Sequence, residues 1–117
     1  MKILDSHHHL WDLQTLDYIW LNQIGKPKPF GDPTKIQKNY LQNDFLDEIN
    51  KTKDIKLIGS VHIQVDSALT DPVSETSWLS KLKTSRIPSA IVGYVDLTKK
   101  NSLDIIKKQA HPGLQEI

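Results

Sequence analysis

The run Asp5-Ser6-His7-His8-His9-Leu10-Trp11-Asp12 sets two histidines at His-x-His spacing directly after an apolar strand start, Ile3-Leu4. Side chains on a strand alternate between faces, so His7 and His9 project to one side while Ser6 and His8 project to the other. Two neutral imidazoles on one face can share a cation. A purification tag would be longer and would sit in a Gly/Ser leader, whereas these three histidines lie between Asp5 and Leu10-Trp11. The competing reading is a solvated surface cluster, because histidine is often partly exposed.

The elements that carry the histidines alternate between strand-like and helix-like periodicity. Strand one runs from about Lys2 to His9. A long loop follows, from about 10 to 40, with Gly25, Pro27, Pro29, Gly31 and Pro33 breaking any regular pattern. A loop of roughly 30 residues is too long for a simple connection in a compact domain and is usually functional or disordered. Its aromatics Trp11, Tyr18, Trp20 and Phe30 predict a packed loop. A helix is predicted over about 43–51, capped by Asn43 or Asp44, with Phe45, Leu46 and Ile49 on one face. The second strand, about 55–65, alternates Leu57, Gly59, Val61, Ile63 and Val65 with Ile58, Ser60, His62 and Gln64. Asp71-Pro72 predicts a helix start, and a helix running to about Lys83 would turn Trp78, Leu79 and Leu82 inward. Ala90 to Leu97 is nearly continuous in apolar residues, as expected for a third strand covered on both sides. Ser102 can cap a last helix with Leu103, Ile106 and Ala110 as its buried stripe. Strands alternating with helices predict a parallel sheet with right-handed crossovers.

Composition bounds the class. The chain has 117 residues, 38% of them hydrophobic and 25% charged, which suits one globular domain with one core. Fifteen basic and fourteen acidic residues give a net charge of +1, so no bulk charge points to nucleic acid or to an anionic membrane. There is no cysteine, which excludes disulfides, thiolate metal ligands and a thiol nucleophile. No apolar run approaches the roughly 20 residues that span a bilayer, and the first residues lack a signal-peptide core, so the expected location is the cytoplasm.

Taken together, these residues resemble the amidohydrolase-related (amidohydrolase 2) family of (β/α)8-barrel hydrolases, in its sugar-lactonase-like branch. Asp5-Ser6-His7-His8-His9-Leu10-Trp11-Asp12 is similar to the family's first-strand signature. Tyr18-Ile19-Trp20-Leu21 is similar to its tyrosine-x-tryptophan-leucine stretch, and Val61-His62-Ile63-Gln64 to its second strand, which ends on glutamine. Glu75-Thr76-Ser77-Trp78-Leu79 resembles the helix behind that strand, Val92-Gly93-Tyr94-Val95-Asp96-Leu97 the third strand, and His111-Pro112-Gly113-Leu114 the approach to the fourth.

The resemblance implies an α/β chain made of the first three strand–helix units of the barrel, with the barrel incomplete. It implies that His7 and His9 are first-strand ligands of a divalent metal, commonly zinc, or that they contact substrate in a metal-free variant of the site. Asp5, on their face by the period of two, could orient one ring or order the strand. Gln64, at the carboxyl end of strand two, could hydrogen-bond substrate or be an ordinary barrel-interior amide. Trp11, Tyr18 and Trp20 could wall a substrate pocket, although aromatics in a long loop also fill its own small core. His8, turned away from the pair, is expected to pack against a helix, and His62 to be structural.

A complete barrel takes about 250 residues, and the resemblance implies that the other ligands come from strands beyond the third. Two histidines leave a catalytic zinc site one protein ligand short of the usual three. Two functions follow as expectations. One is hydrolysis of a small cyclic ester, polyhydroxylated or carboxylated, within a longer enzyme or with the missing part of the barrel as partner. The other is a catalytically inactive α/β fragment or interaction module with structural histidines.

Overall fold

The computed structural model describes residues 1–66, 69–82 and 86–110. The element order is β1 (Lys2–His8), α1 (Gln42–Asn50), β2 (Lys56–Ile63), α2 (Ser74–Ser80), β3 (Ala90–Val92) and α3 (Ser102–Gln109), with one 3-10 turn at Thr34–Ile36 in the loop after β1. The three strands form one open sheet in the order β1-β2-β3, and both pairings are parallel. The chain is therefore α/β, with each strand followed by a helix, as the alternating periodicity predicts.

The register of β1 on β2 is interrupted twice. Ile3 pairs with Leu57 but Leu4 with Gly59, so β2 carries an extra residue at Ile58. Asp5 pairs with Ser60 and His8 with His62, so there β1 carries the extra residue. Each slip of one residue reverses which face a side chain takes. Asp5 consequently shares a side with His8, and the simple period of two that would place it beside His7 and His9 fails at the bulge.

The core lies on the helix side of the sheet. Leu10, Phe45, Leu79 and Ile87 are buried there, with Leu57, Ile91, Leu46, Ile49 and Leu82 packed against them. A second buried group, Leu16, Tyr18 and Leu21, lies inside the long loop, and Trp78 of α2 touches both groups. The single core expected from the chain length is thus two joined clusters, because the loop's own aromatics and leucines are numerous enough to exclude water. The loop is closed at its base by antiparallel pairing of Trp11 with Tyr40, each main-chain N–H donating to the other's carbonyl at 2.9 Å.

Several boundaries differ from the expectation. The α1 N-cap is Leu41; Asp44 sits in the first turn, where its carboxylate accepts the Leu41 N–H at 2.8 Å. A carboxylate there satisfies a free donor and suits the helix dipole as well as a capping side chain would. Before α2, Asp71 folds a separate turn by accepting the Val73 N–H at 3.0 Å, so the helix starts at Ser74 rather than at Pro72. The helix ends at Ser80 with Lys81 as its C-cap, short of the expected end near Lys83, a residue outside the described ones. β3 stops at Val92, opposite the end of β2 at Ile63, and the rest of its apolar run turns away at Asp96, whose carboxylate accepts the Thr98 N–H and hydroxyl. α3 begins one residue after its Asn101 N-cap, and Ser102 is its first helical residue. Its apolar stripe is not buried: Leu103 is 68% exposed and Ile106 is 41% exposed. A three-residue β3 offers little sheet for α3 to lie on, and α3 is instead tied by Gln109, which donates to the Tyr94 carbonyl and accepts from the Thr76 hydroxyl.

Leu4, Ile58 and Val92 on the sheet are about half exposed. No described helix is long and apolar enough to cross a membrane. The contrast between α2 and α3 gives a direct test by urea unfolding. Leu79→Ala should cost about 2–5 kcal/mol, as buried leucines do. Leu103→Ala should stay within about 0.5 kcal/mol. Equal losses would mean that α3 is packed as tightly as α2.

Candidate active site

β1 and β2 end side by side, and the histidine run lies at that end. His8 turns toward the helices, is buried, and stacks on Phe45 of α1 with ring centroids 4.4 Å apart and planes 8° from parallel. Burial holds it below the usual histidine range, so it stays neutral. His62 is fully buried beside it, pushed down to about 4 by the same desolvation. As a neutral ring it donates Nε2–H to the Leu10 carbonyl at 3.1 Å. His62 thereby pins the start of the long loop to β2.

His7 and His9 meet on the other side. Their Nε2 atoms are 3.2 Å apart, and the rings are edge to face with centroids at 5.0 Å. His9 Nδ1 lies 2.8 Å from the Ile63 carbonyl at the end of β2. A carbonyl can only accept, so His9 carries a proton on Nδ1, and in the neutral ring the lone pair is then at Nε2. With both rings neutral and no ion bound, His7 donates Nε2–H to that lone pair. Two nitrogens at zinc distance from a tetrahedral ion would be about 3.4 Å apart. The separation matches one edge of such a site, and His9 has the carbonyl-fixed ring that metal-binding histidines usually have. Among the described residues no group of three His, Cys, Asp or Glu side chains could hold a metal. Asp5 accepts the His7 main-chain N–H at 3.0 Å, which shapes the bulge rather than a ring.

A cavity of about 270 Å3 opens beside His9, lined by His9, Trp11, Trp20, Leu21, Ile36 and Val65. Trp11 stacks on Tyr40 at 5.2 Å and gives its indole N–H to the Lys38 carbonyl at 2.5 Å; Trp20 meets Phe30 edge to face at 5.9 Å. The structure therefore brings together His7, His9, Trp11 and Trp20 of the residues singled out in the sequence. Gln64 follows β2, gives its main-chain N–H to Val92 at 2.9 Å, and does not line this cavity.

No family model matches the chain. Among curated proteins it is similar to uncharacterized protein y4mH of Sinorhizobium fredii (strain NBRC 101917 / NGR234), with 42% identity over 107 residues, 91% of this chain and 35% of that protein. The chain thus spans about a third of the length of the curated relative it matches. Among solved structures it is similar to an amidohydrolase 2 from Bifidobacterium longum subsp. infantis, with a TM-score of 0.65 and 22% identity, over 83% of this chain and 34% of that one. At that identity the likeness is one of fold. The parallel strand–helix units match a third of a larger chain, consistent with part of a (β/α)8 barrel.

One further group holds the site together and was not singled out as functional in the sequence. Glu75 of α2 is buried, accepts the Tyr18 hydroxyl at 2.7 Å, and accepts the Val65 main-chain N–H at 3.2 and 3.4 Å. It joins the long loop, the residue after β2 that lines the cavity, and α2 at one carboxyl group. Its signal in the sequence is its place four residues before buried Leu79, which sets a carboxylate on the apolar side of a helix. Burial pushes Glu75 up to about 7, against the pull of its two donors, and Asp66 adds to the rise. Burial and the neighbouring carboxylate also raise Tyr18, which stays a hydroxyl donor.

Because the folded value lies above the unfolded one, Glu75 contributes fully below about pH 4.5, and its contribution falls as pH rises to about 7. Glu75→Gln keeps an acceptor for Tyr18 and removes the titration. Stability measured by urea unfolding should therefore drop between pH 4.5 and 7.5 by on the order of 3 kcal/mol more in the parent than in Glu75→Gln. Parallel curves would place the carboxyl in contact with water.

Proposed function

We propose that this chain supplies the opening strand–helix units of a metal-dependent hydrolase of the amidohydrolase-related type, acting on a cyclic ester. The observation that carries the reading is the His7–His9 pair, with Nε2 atoms 3.2 Å apart and the His9 tautomer set by Ile63. The fold likeness to an amidohydrolase 2 and the identity with a longer curated relative support it.

In this reading His7 and His9 are two nitrogen ligands of a divalent cation, with zinc as the first choice. Bound there, such a cation would polarise an ester carbonyl and make its water a better nucleophile. The chain's own residues have defined tasks. His9 keeps its Nδ1–H on the Ile63 carbonyl and so holds its ring still while Nε2 faces the ion. His7 is exposed, and it frees Nε2 by moving its proton to Nδ1. Trp11 and Trp20 form the wall against which the ester ring lies, and Gln64 is assigned to the substrate side of the strand ends. Hydrolysis adds the water oxygen to the carbonyl carbon, breaks the ring C–O bond, and leaves a carboxylate and a hydroxyl. The remaining ligands and the proton-transfer groups are assigned to barrel strands outside these 117 residues, which makes that part of the barrel the required partner.

Calorimetric titration of the 117-residue chain with zinc at pH 7.5 should give one ion per chain. His7→Ala and His9→Ala should each weaken binding at least tenfold, the loss typical for a group that builds a metal site. Unchanged binding in the double variant would remove the pair from the site. Lactone hydrolysis by the 117-residue chain alone, retained in that double variant, would do the same for the proposed chemistry.

A further inference from the structure

We infer that the cavity beside His9 receives a flat, weakly hydrated ring, so that the substrate is an aryl or alkyl cyclic ester rather than a polyhydroxylated one. This rests on the reading of the His7–His9 pair as the reacting end of the site.

The walls of the cavity are apolar apart from His9: two indoles, Leu21, Ile36 and Val65. Several of the polar groups that border it are already used. His9 spends Nδ1–H on Ile63 and faces His7 with Nε2. Trp11 gives its indole N–H to Lys38, and Val65 gives its main-chain N–H to Glu75. Among the described lining side chains, the indole N–H of Trp20 adds one further donor. A ring carrying several hydroxyls would lose water from each on entry and find few partners among these side chains. Each hydroxyl stripped of water without a partner costs about tenfold or more in affinity. A hydrocarbon or aryl ring meets no such penalty and gains from leaving water and from offset or edge contacts with the indoles.

The slot is also formed before a ligand arrives. Tyr40 backs one face of Trp11, and Phe30 braces Trp20. Tyr18 is fully buried behind the wall and fixed to Glu75. At about 270 Å3 the space is near the lower end for small-molecule pockets, roughly 300–1,000 Å3, and suits one or two fused rings.

The test is a ligand-observed saturation-transfer NMR titration of the 117-residue chain in EDTA, with dihydrocoumarin and D-gluconolactone as probes. Dihydrocoumarin should bind at least tenfold more tightly than D-gluconolactone. Ile36→Glu and, separately, Trp20→Leu should each weaken it at least tenfold, with folding verified by circular dichroism. Equal or tighter binding of D-gluconolactone, binding of neither probe, or dihydrocoumarin binding untouched by both substitutions would overturn the inference. The chelator separates the two ideas: failure of the zinc titration with ring binding intact would overturn the metal-site reading and leave the cavity's preference standing.

Discussion

The hydrogen bond from His9 Nδ1 to the Ile63 carbonyl joins the end of β1 to the end of β2 at the point where their main-chain ladder stops. Parallel pairing carries the two strands side by side as far as His8 and His62, and the next carbonyl on β2 is taken by a side chain. That one bond decides which nitrogen of His9 is bare, and it holds the ring facing His7. The metal-binding reading depends on it, because two imidazoles of free tautomer would as readily pair with each other or with water. The bulge in β1 contributes to the same result. It turns Asp5 toward the side of His8 and leaves its carboxylate on the His7 main chain.

Behind the pair, buried polar groups do the work that apolar packing does elsewhere. His8 and His62 lie in the core as neutral rings, and His62 ties the first residues of the long loop to β2 through Leu10. Glu75 ties the middle of the same loop to α2 and to Val65. A loop of some thirty residues is costly to order, since each fixed residue loses about 1–2 kcal/mol of conformational freedom. Its small core of Leu16, Tyr18 and Leu21 offsets part of that cost, and the two polar ties set where the aromatic wall stands relative to His9.

The strand and helix order, the parallel sheet, the meeting of His7 with His9 and the turn of His8 onto a helix were all legible in the sequence. Each follows from periodicity, which local sequence states directly. What periodicity could not give was register. The bulges at Ile58 and after Asp5 arise from how two strands fit, and neither strand's residues announce them. The same limit explains β3 and α3: an apolar run from Ala90 to Leu97 is compatible with a strand, but its length is set by the β2 partner, which ends at Ile63. α3 then lacks a surface for Leu103 and Ile106. Glu75 stood in view on the apolar side of α2, and only the arrival of Tyr18 and Val65 from elsewhere in the chain gave that position a meaning.

The central claim is that His9 offers a bare Nε2 lone pair beside His7 because Ile63 holds its other nitrogen. Long-range 15N–1H correlation spectra of the imidazoles, recorded with and without zinc at pH 7.5, test it most directly. The account predicts that His9 is protonated at Nδ1 in both spectra, and that zinc shifts the Nε2 resonances of His7 and His9 together while His8 and His62 stay in place. A His9 ring protonated at Nε2, or zinc-induced shifts at Nδ1 or at His8 instead, would contradict it.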